Sequence, residues 1–458
     1  MPESIRSVPK GIVNLQRREF LRRSSLLSMT GIAAPLALHL SALSEAAAAE
    51  TVNDYKALVC VFLYGANDHA NTYVPYDSTS YATYASIRAA LTTAKDQLLP
   101  LTPSVNLPSG LQLAFAPQWT GLKALFDAGK LGVQLNVGPL IVPTTLAQYK
   151  AQSVPLPPKL FSHNDQQSVW QSSLAEGATT GWGGRMGDLF LSNNSTTTFT
   201  CMNVSGNAVF MSGQQAVGYQ VSATGAVKLR ATTSSSFGSS SVSRALQTLT
   251  QTNTAHFFES EHAKIMKRAV EAEQLLTAGL SAAPTFTTPF NPSNSLATQL
   301  QMVAKTIASR QALGAKRQVF FVSLGGFDLH DNLVDQHPGL LTSVSEALSS
   351  FYAATVELGV ANQVTTFTAS DFGRTLTSNG DGSDHGWGSH HVVMGGAVSG
   401  KRFYGTAPVT AVNGPDDVGQ GRLLPSTSVD QFGAAMATWF GVPSTEMPTV
   451  FPNIRNFN

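Results

Sequence analysis

The chain has 458 residues, of which 43% are hydrophobic and only 12% are charged, so it carries enough apolar sequence to bury a large core. Its formal net charge of +1 predicts no strongly basic face, which excludes nucleic acid as an expected partner. Cys60 and Cys201 both lie in apolar runs without CxxC spacing. We predict two buried thiols, although an oxidising compartment would permit a disulfide.

Residues 1–49 have the pattern of a twin-arginine export signal. Arg17 and Arg18 precede a moderately apolar run, Leu26 to Leu43, which is followed by small residues typical of a cleavage site. This run is short and too polar for a membrane anchor, which needs roughly 20 apolar residues. An uncleaved basic amphipathic start is the alternative. We therefore predict interaction with the twin-arginine translocase, a periplasmic or secreted location, no stable membrane span, and a single mature domain over residues 50–458.

The mature chain alternates apolar strands with helical periodicity, which predicts α/β architecture. The strand LVCVFLY is followed by GANDHAN, so Asp68 is expected just past a strand end. The segment PQWTGLKALFDAGKLGVQLNV predicts a helix and then a strand, and residues 256–280, 296–313 and 429–440 predict helices. A Ser/Thr-rich stretch at about 205–255 predicts an inserted β-hairpin or an exposed cap.

Residues 319–368 form the clearest predicted unit. The strand VFFVSL precedes a helix whose apolar residues recur at spacings of three, four and seven, and the strand VTTFT follows. A strand, crossover helix and strand form a right-handed parallel unit, so both strands end on the same edge of the sheet. Asp328 and Asp371 each follow one of these strands. We therefore expect them, with Asp68, at the edge where open parallel sheets bind ligands.

Histidines and aspartates concentrate in the same region. Five of the 10 histidines fall between His330 and His391. In GGFDLH, Asp328 and His330 are two residues apart, so an extended backbone would point both the same way. Mixed carboxylate and imidazole ligands suit zinc, manganese or iron better than calcium, although any single aspartate could equally serve a turn. The predicted ligands of one or two divalent metal ions are Asp68, Asp328, His330, Asp371, Asp384, His385, His390 and His391.

Three further residues are candidates for catalysis. Ser162 lies at the predicted start of a helix, where the helix dipole would stabilise an alkoxide or an incoming anion. Its alternative role is an ordinary N-cap. Arg185 and Arg374 could each offer a bidentate fork to a phosphate or sulfate oxygen, and surface salt bridges are the alternative for both.

Six sequence motifs together resemble those of a known family: GANDHAN, FSHNDQQSVWQSS, GWGGRMGD, GGFDLHDN, ASDFGRT and SDHGWGSHH. Behind a twin-arginine signal, they resemble the exported bacterial domain-of-unknown-function family numbered fifteen hundred and one, which is usually assigned to the alkaline phosphatase and sulfatase superfamily. The resemblance covers nearly all of the mature chain. It implies an alkaline phosphatase-like, three-layer α/β/α sandwich with a mainly parallel sheet.

The resemblance also implies an order of metal ligands. Asp68 matches the first strand-end aspartate of the superfamily, and Asp371 matches a later one. The chain departs from the pattern where Phe372 follows Asp371, a position that is often histidine, and it lacks the Cys-x-Pro/Ser-x-Arg motif of a formylglycine nucleophile. The assignment of the remaining ligands stays open. Asp328 and His330 match the next pair of the superfamily, although they are spaced by two residues rather than four. His385, His390 or His391 would supply the last ligands, and Asp384 with His385 is an alternative pair.

The expected function follows from the metal residues. A metal-dependent hydrolase of phosphate, phosphonate or sulfate esters would use the ion to bind the oxyanion and activate a hydroxyl or water. The alternative is a non-catalytic, metal-containing envelope protein that binds a ligand. The expected partner is correspondingly a small anionic ester or an envelope glycan.

Overall fold

The structure is a computed structural model that describes residues 55–228, 239–252 and 256–457. The predicted signal peptide, residues 1–49, lies outside the described residues. Across the described part of the chain, no helix combines the length and the apolar character needed to cross a membrane.

The elements are numbered here in chain order. The strands are β1 (Lys56–Leu63), β2 (Tyr73–Pro75), β3 (Leu99–Pro100), β4 (Leu113–Phe115), β5 (Leu131–Gly138), β6 (Cys201–Asn203), β7 (Tyr219–Ser222), β8 (Gly225–Ala226), β9 (Arg317–Leu324), β10 (Val364–Ser370), β11 (Arg374–Ser378), β12 (Ser383–His385), β13 (Ser389–Gly395), β14 (Phe403–Tyr404) and β15 (Thr427–Ser428). The α-helices are α1 (Ser78–Arg88), α2 (Thr120–Asp127), α3 (Leu146–Ala151), α4 (His163–Ser172), α5 (Trp182–Phe190), α6 (Ser240–Gln251), α7 (Phe257–Ala282), α8 (Ser295–Ala308), α9 (Leu333–Glu357), α10 (Val429–Phe440) and α11 (Met447–Val450).

The main sheet has the strand order β14-β5-β13-β10-β1-β9-β6-β7-β8, and β15 also pairs with β5. At its centre, β1 runs parallel to both β10 and β9, and β6 continues the parallel arrangement beside β9. The strand β13 is antiparallel to β10 and β5. The sheet is therefore mixed and mostly parallel, as predicted.

Helices cover both faces of this sheet. Successive residues of a strand point to opposite faces, and β1 places Val59 in one buried cluster and Cys60 in the other. The first cluster includes residues of α2, α7, α8 and α9, and the second includes residues of α4, α5, α10 and α11. Burial on both faces explains the nearly continuous apolar sequence of the central strands. The predicted three-layer α/β/α sandwich is confirmed.

The predicted unit at residues 319–368 is present as β9, α9 and β10. Both strands pair in parallel with β1, which lies between them, so their carboxyl ends share one edge of the sheet. The predicted helix at 429–440 matches α10, whereas α8 ends at Ala308, before the predicted 313. In the stretch at about 205–255, β7 and β8 form a hairpin that extends the main sheet, and α6 follows. Residues 229–238 and 253–255 of that stretch lie outside the described residues.

The two cysteines are buried and free, as predicted. Cys60 of β1 and Cys201 of β6 are separated by the intervening strand β9. Two strand spacings amount to roughly 10 Å, which exceeds the separation of about 7 Å at which a disulfide can form.

Candidate metal centre

Four side chains converge beyond the carboxyl ends of β9 and β10. His163 is the first residue of α4, Asp328 and His330 follow β9, and His385 ends β12. The Nε2 atoms of His163 and His385 are 3.1 Å apart. One oxygen of Asp328 lies 3.4 Å from Nε2 of His163, and the other lies 3.3 Å from Nε2 of His385. These three residues form a group whose ligand atoms all lie within 4.8 Å of one another.

The other ring nitrogen of each histidine is held by an oxygen. Nδ1 of His385 lies 2.7 Å from the carbonyl oxygen of Phe161, which can only accept, so this Nδ1 carries the proton. Nδ1 of His163 lies 2.5 Å from a carboxylate oxygen of Asp371 and is likewise the donor. The two Nε2 atoms therefore direct lone pairs toward each other and toward the Asp328 carboxylate. This arrangement requires a cation or an additional proton between them.

The pKa shifts of the three residues are consistent with a cation or an additional proton between them. The hydrogen bond to Asp371 raises the pKa of His163 against the effect of burial, whereas burial lowers the pKa of His385. Burial opposes ionisation of Asp328, but the hydrogen bond and charge of Arg374 prevail and lower its pKa. In tetrahedral zinc sites with zinc–nitrogen distances of about 2.0–2.1 Å, two ligand atoms are roughly 3.3 Å apart. The residues present thus fit a divalent ion in chemistry and in spacing.

Asp371 lies behind the cluster and orients His163. It is fully buried, and the oxygen that contacts His163 also accepts hydrogen bonds from the backbone N–H of Gly65 and the side chain of Gln167, each at 3.0 Å. Its other oxygen, Oδ1, is buried and has no partner among the described residues. The predicted convergence of Asp328 and Asp371 is thus observed, with different contacts for the two carboxylates.

His330 and Asp384 form the exposed rim of the cluster. Nε2 of His330 lies 3.0 Å from Asp328 and 2.9 Å from Nε2 of His385, while its Nδ1 is 3.2 Å from Asp384. The His330 side chain is 43% exposed. This pair therefore faces solvent at the mouth of the cluster.

Arg374 holds the Asp328 carboxylate in position from the buried side of the cluster. Its side chain is fully buried, and Nη1 donates to Asp328 at 2.6 Å and to the carbonyl oxygen of Gly65 at 3.3 Å. The remaining nitrogens donate to the carbonyl and hydroxyl oxygens of Ser383. The predicted fork for a substrate anion is instead directed at internal partners.

Asp68 lies on the same edge but has other partners. One of its oxygens accepts hydrogen bonds from the Arg88 guanidinium and the Ser383 hydroxyl, both at 2.7 Å, and the other accepts the backbone N–H of Asn71 at 3.0 Å. Burial opposes ionisation, but Arg88 lowers the pKa of Asp68 far below its ordinary value. Both oxygens are occupied, so Asp68 is not free to join the cluster.

His390 and His391 are buried in the protein rather than gathered at the cluster. Nδ1 of His390 accepts the backbone N–H of Asn136 at 3.0 Å. His391 packs against Trp170 with ring centroids 4.9 Å apart and lies beside the Thr368 hydroxyl. Both belong to β13, whose alternation sends consecutive side chains to opposite faces. The structure does not bring these two predicted ligands to the other residues.

The two remaining candidates also have internal partners. Ser162 is the N-cap residue of α4, but its hydroxyl accepts no backbone N–H of the first turn and instead donates to Asp165 at 2.7 Å, away from the cluster. Arg185 is buried and donates to the backbone carbonyls of Val450 and Ser172, at 3.0 and 2.7 Å. Arg185 therefore joins α5 to the C-terminal segment.

Sequence reasoning missed His163, the residue that completes the cluster. It lies in FSHNDQQSVWQSS, next to Ser162, the predicted candidate nucleophile. The available signal was an imidazole at the first position of a helix that follows a loop. Arg88, the partner of Asp68, was also missed, because nothing in the pattern of α1 distinguishes it from a surface arginine.

Comparison with known proteins places the chain in a family. The sequence profile described as "Protein of unknown function (DUF1501)" matches residues 55–444. The chain belongs to the DUF1501 family. A search of curated proteins found no significant match for this DUF1501 chain.

Several solved structures are similar to the DUF1501 chain at low identity. The structure titled Ps i-CgsB in complex with k-i-k-neocarrahexaose has 10% identity and a TM-score of 0.35, with 88% of this chain and 77% of that chain covered. The PsFucS1 sulfatase from Pseudoalteromonas sp. has 10% identity and a TM-score of 0.30, covering 88% and 70%. A Bacteroides thetaiotaomicron protein, from work on glycosaminoglycan metabolism, has 11% identity and a TM-score of 0.31, covering 77% and 69%. Similarity at this level assigns no activity to the DUF1501 chain.

Proposed function

We propose that this DUF1501 protein is an exported, metal-dependent hydrolase of phosphate, phosphonate or sulfate esters. The observation that carries the proposal is the convergence of two imidazole lone pairs and a carboxylate, with the Nε2 atoms of His163 and His385 only 3.1 Å apart. Each imidazole is fixed by an oxygen at Nδ1, the arrangement that orients histidine toward a metal in metalloproteins. A purely structural role would leave this convergence without a reason.

His163, Asp328 and His385 would hold the ion, and zinc or manganese suits this mixture of nitrogen and oxygen ligands. A bound divalent ion would supply Lewis-acid polarisation of an ester oxygen and would lower the pKa of water. We favour one ion rather than two, because Arg88 and Ser383 already occupy the Asp68 carboxylate. Arg374 would keep Asp328 ionised and in position.

His330 is the best-placed residue for proton transfer. Its side chain is exposed at the mouth, and Asp384 holds its Nδ1 at 3.2 Å, which is the relation of a general base to its orienting carboxylate. His330 would take a proton from an attacking water or return one to a leaving oxygen. Within the described residues, no hydroxyl hydrogen-bonds to His163, Asp328 or His385. Water is therefore favoured over Ser162 as the nucleophile.

A negatively charged ester is the substrate class that this chemistry serves. The ion would place positive charge beneath the mouth, where an oxyanion would be stabilised in a partly desolvated site. The twin-arginine pattern of residues 1–49 supports action beyond the inner membrane, on a small ester or an envelope glycan.

The test uses the mature chain without a His tag. Bound metal is quantified by elemental analysis, and turnover is measured with nitrophenyl phosphate, bis-nitrophenyl phosphate and nitrophenyl sulfate. We expect about one ion per chain, with loss of metal and turnover in Asp328→Ala and His163→Gln. His262→Gln, on the exposed surface of α7, is the matched control. Wild-type protein that binds no divalent metal would refute the proposal.

A non-catalytic, metal-containing binding protein is the second candidate. It is favoured by one observation, the absence of any hydroxyl bonded to the three proposed ligands among the described residues. It predicts stoichiometric metal without turnover of any of the three esters. In that case a sulfated or phosphorylated glycan should bind only to the metal-loaded protein.

A further inference from the structure

One arginine outside the proposed ligand set contacts both partners of the His385 hydrogen bond. Nε of Arg422 donates to the backbone carbonyl oxygen of His385 at 2.6 Å. The guanidinium carbon of the same side chain lies 5.0 Å from the centroid of the Phe161 ring, within the distance of a cation–π contact. Phe161 is the residue whose carbonyl oxygen accepts from Nδ1 of His385. Arg422 therefore bridges a proposed ligand and the residue that orients it.

The backbone of Phe161 has a conformation that needs support. Its φ of 72° lies in the left-handed region, which is uncommon for a bulky side chain. Lys159, two residues earlier, also has a positive φ, of 41°. Such conformations cost free energy and persist only where the surrounding structure fixes them. The position of the Phe161 carbonyl oxygen therefore depends on the contacts that hold this segment.

The same short segment leads directly into His163. The helix α4 begins at His163, two residues after Phe161, and the side chain of Gln166 donates back to the carbonyl oxygen of Pro158 at 2.8 Å. Nε2 of His163 lies 3.1 Å from Nε2 of His385. A shift of this segment would therefore displace one imidazole and release the other.

Arg422 is itself held by a tight turn. The buried Asp417 carboxylate accepts the backbone N–H groups of Gly419 and Gly421, at 2.6 and 2.8 Å. Both the backbone N–H and Nη1 of Arg422 donate to the carbonyl oxygen of Gly419, at 3.1 and 3.2 Å. The guanidinium is thus placed by the main chain of its own loop and offers a fixed support to Phe161 and His385.

We propose that Arg422 is a positioning residue, which holds the Phe161 carbonyl oxygen against Nδ1 of His385 and so directs Nε2 of His385 toward the metal ion. The proposal rests on the proposed function, because His385 is one of the three proposed ligands. Within the described part of the chain, Arg422 hydrogen-bonds to no side chain of the cluster. Its effect on the ion is therefore exerted through the orientation of His385.

The experiment measures the tautomer of His385 and the zinc affinity of the mature protein. Long-range proton–nitrogen correlation NMR of metal-free protein, labelled at histidine and held at about pH 8, should show the proton of His385 on Nδ1 in wild type. The signal is assigned by its loss in His385→Gln. In Arg422→Leu we expect a mixture of the two tautomers and zinc binding weakened roughly three- to tenfold, less than the 10- to 100-fold typical of a direct orienting partner.

Two further arginine variants separate positioning from a general effect of mutation. Arg422→Lys keeps the positive charge but not the planar fork, so it should recover only part of the lost affinity. Arg402→Leu is the matched control, because Arg402 is exposed and bonds to Ser104. It should leave the His385 tautomer and the zinc affinity unchanged.

Phe161→Leu keeps the test valid if Arg422→Leu folds poorly. It removes the aromatic ring under the guanidinium, and the same two measurements should change in the same direction, with circular dichroism to check folding. The proposal is overturned if the folded variant shows the wild-type tautomer or binds zinc as tightly as wild type does. If wild type binds no zinc, the proposed hydrolase fails, whereas the tautomer in Arg422→Leu still decides whether Arg422 orients His385.

Discussion

Replacement of Asp371 by asparagine tests whether the carboxylate behind the cluster controls metal affinity. Asp371 is fully buried and contacts Nδ1 of His163 at 2.5 Å, the distance of a strong charge-assisted hydrogen bond. Asparagine keeps the shape and one accepting oxygen, but it removes the negative charge that makes His163 a better ligand. Loss of such an orienting partner typically weakens metal binding 10- to 100-fold, which corresponds to about 1.4–2.7 kcal/mol. We therefore expect Asp371→Asn to bind zinc 10- to 100-fold more weakly than wild type does.

The assay is competition for zinc against a chromophoric chelator, with circular dichroism to check folding. Asp127→Asn is the control, because Asp127 forms an exposed ion pair with Lys123 on α2. His163→Gln should lose more affinity than Asp371→Asn, since it removes a ligand itself. If folded Asp371→Asn binds zinc within twofold of wild type, the carboxylate does not tune His163 and the reasoning is wrong.

Three further predictions concern stability. Arg88→Met should lower the free energy of unfolding by about 3–5 kcal/mol, because it leaves Asp68 buried without its cation. Adding Asp68→Asn should restore much of the loss. Urea unfolding measures both variants, and a cost below about 1 kcal/mol for Arg88→Met alone would contradict the ion-pair argument. Burial raises the pKa of Asp430 from 3.8 to about 6, so the folded state binds the proton more tightly than the unfolded state does. Stability therefore falls as the pH rises from about 4 to about 6. Asp430→Asn should remove that part of the pH dependence, at most roughly 3 kcal/mol between pH 4 and 7, and an unchanged profile of unfolding free energy against pH would refute it. Zinc at 100 times its Kd should stabilise wild type by about 2.7 kcal/mol and raise its melting temperature, whereas His163→Gln should show no shift; equal shifts in both proteins would place the zinc elsewhere.

The sequence predicted the layers and the edge of the sheet because both depend on repeating patterns. The parallel unit at residues 319–368 brought Asp328 and Asp371 to the same edge without any knowledge of their contacts. The pattern could not assign their roles. Which carboxylate faces the cluster and which supports it depends on the packing of α4 and on Arg374, and neither is encoded locally.

The errors in placing histidines have a similar physical origin. His385, His390 and His391 lie within seven residues of one another, and the sequence therefore predicts all three as ligands of one site. In the structure Ser389–Gly395 is a strand of the main sheet, and His390 and His391 are buried on opposite faces. His163 was overlooked for the converse reason, since a single imidazole gives no periodic signal and reaches the cluster only through tertiary packing.

The two imidazoles that meet at the candidate metal centre are 222 residues apart along the chain. At synthesis rates of about 5–20 residues per second, His163 is added to the chain roughly 10–45 seconds before His385. During that interval the nascent polypeptide has no complete ligand set, and Asp328 also arrives late. Loading of the ion would therefore be a late step of biogenesis, available only to a chain whose synthesis is nearly complete.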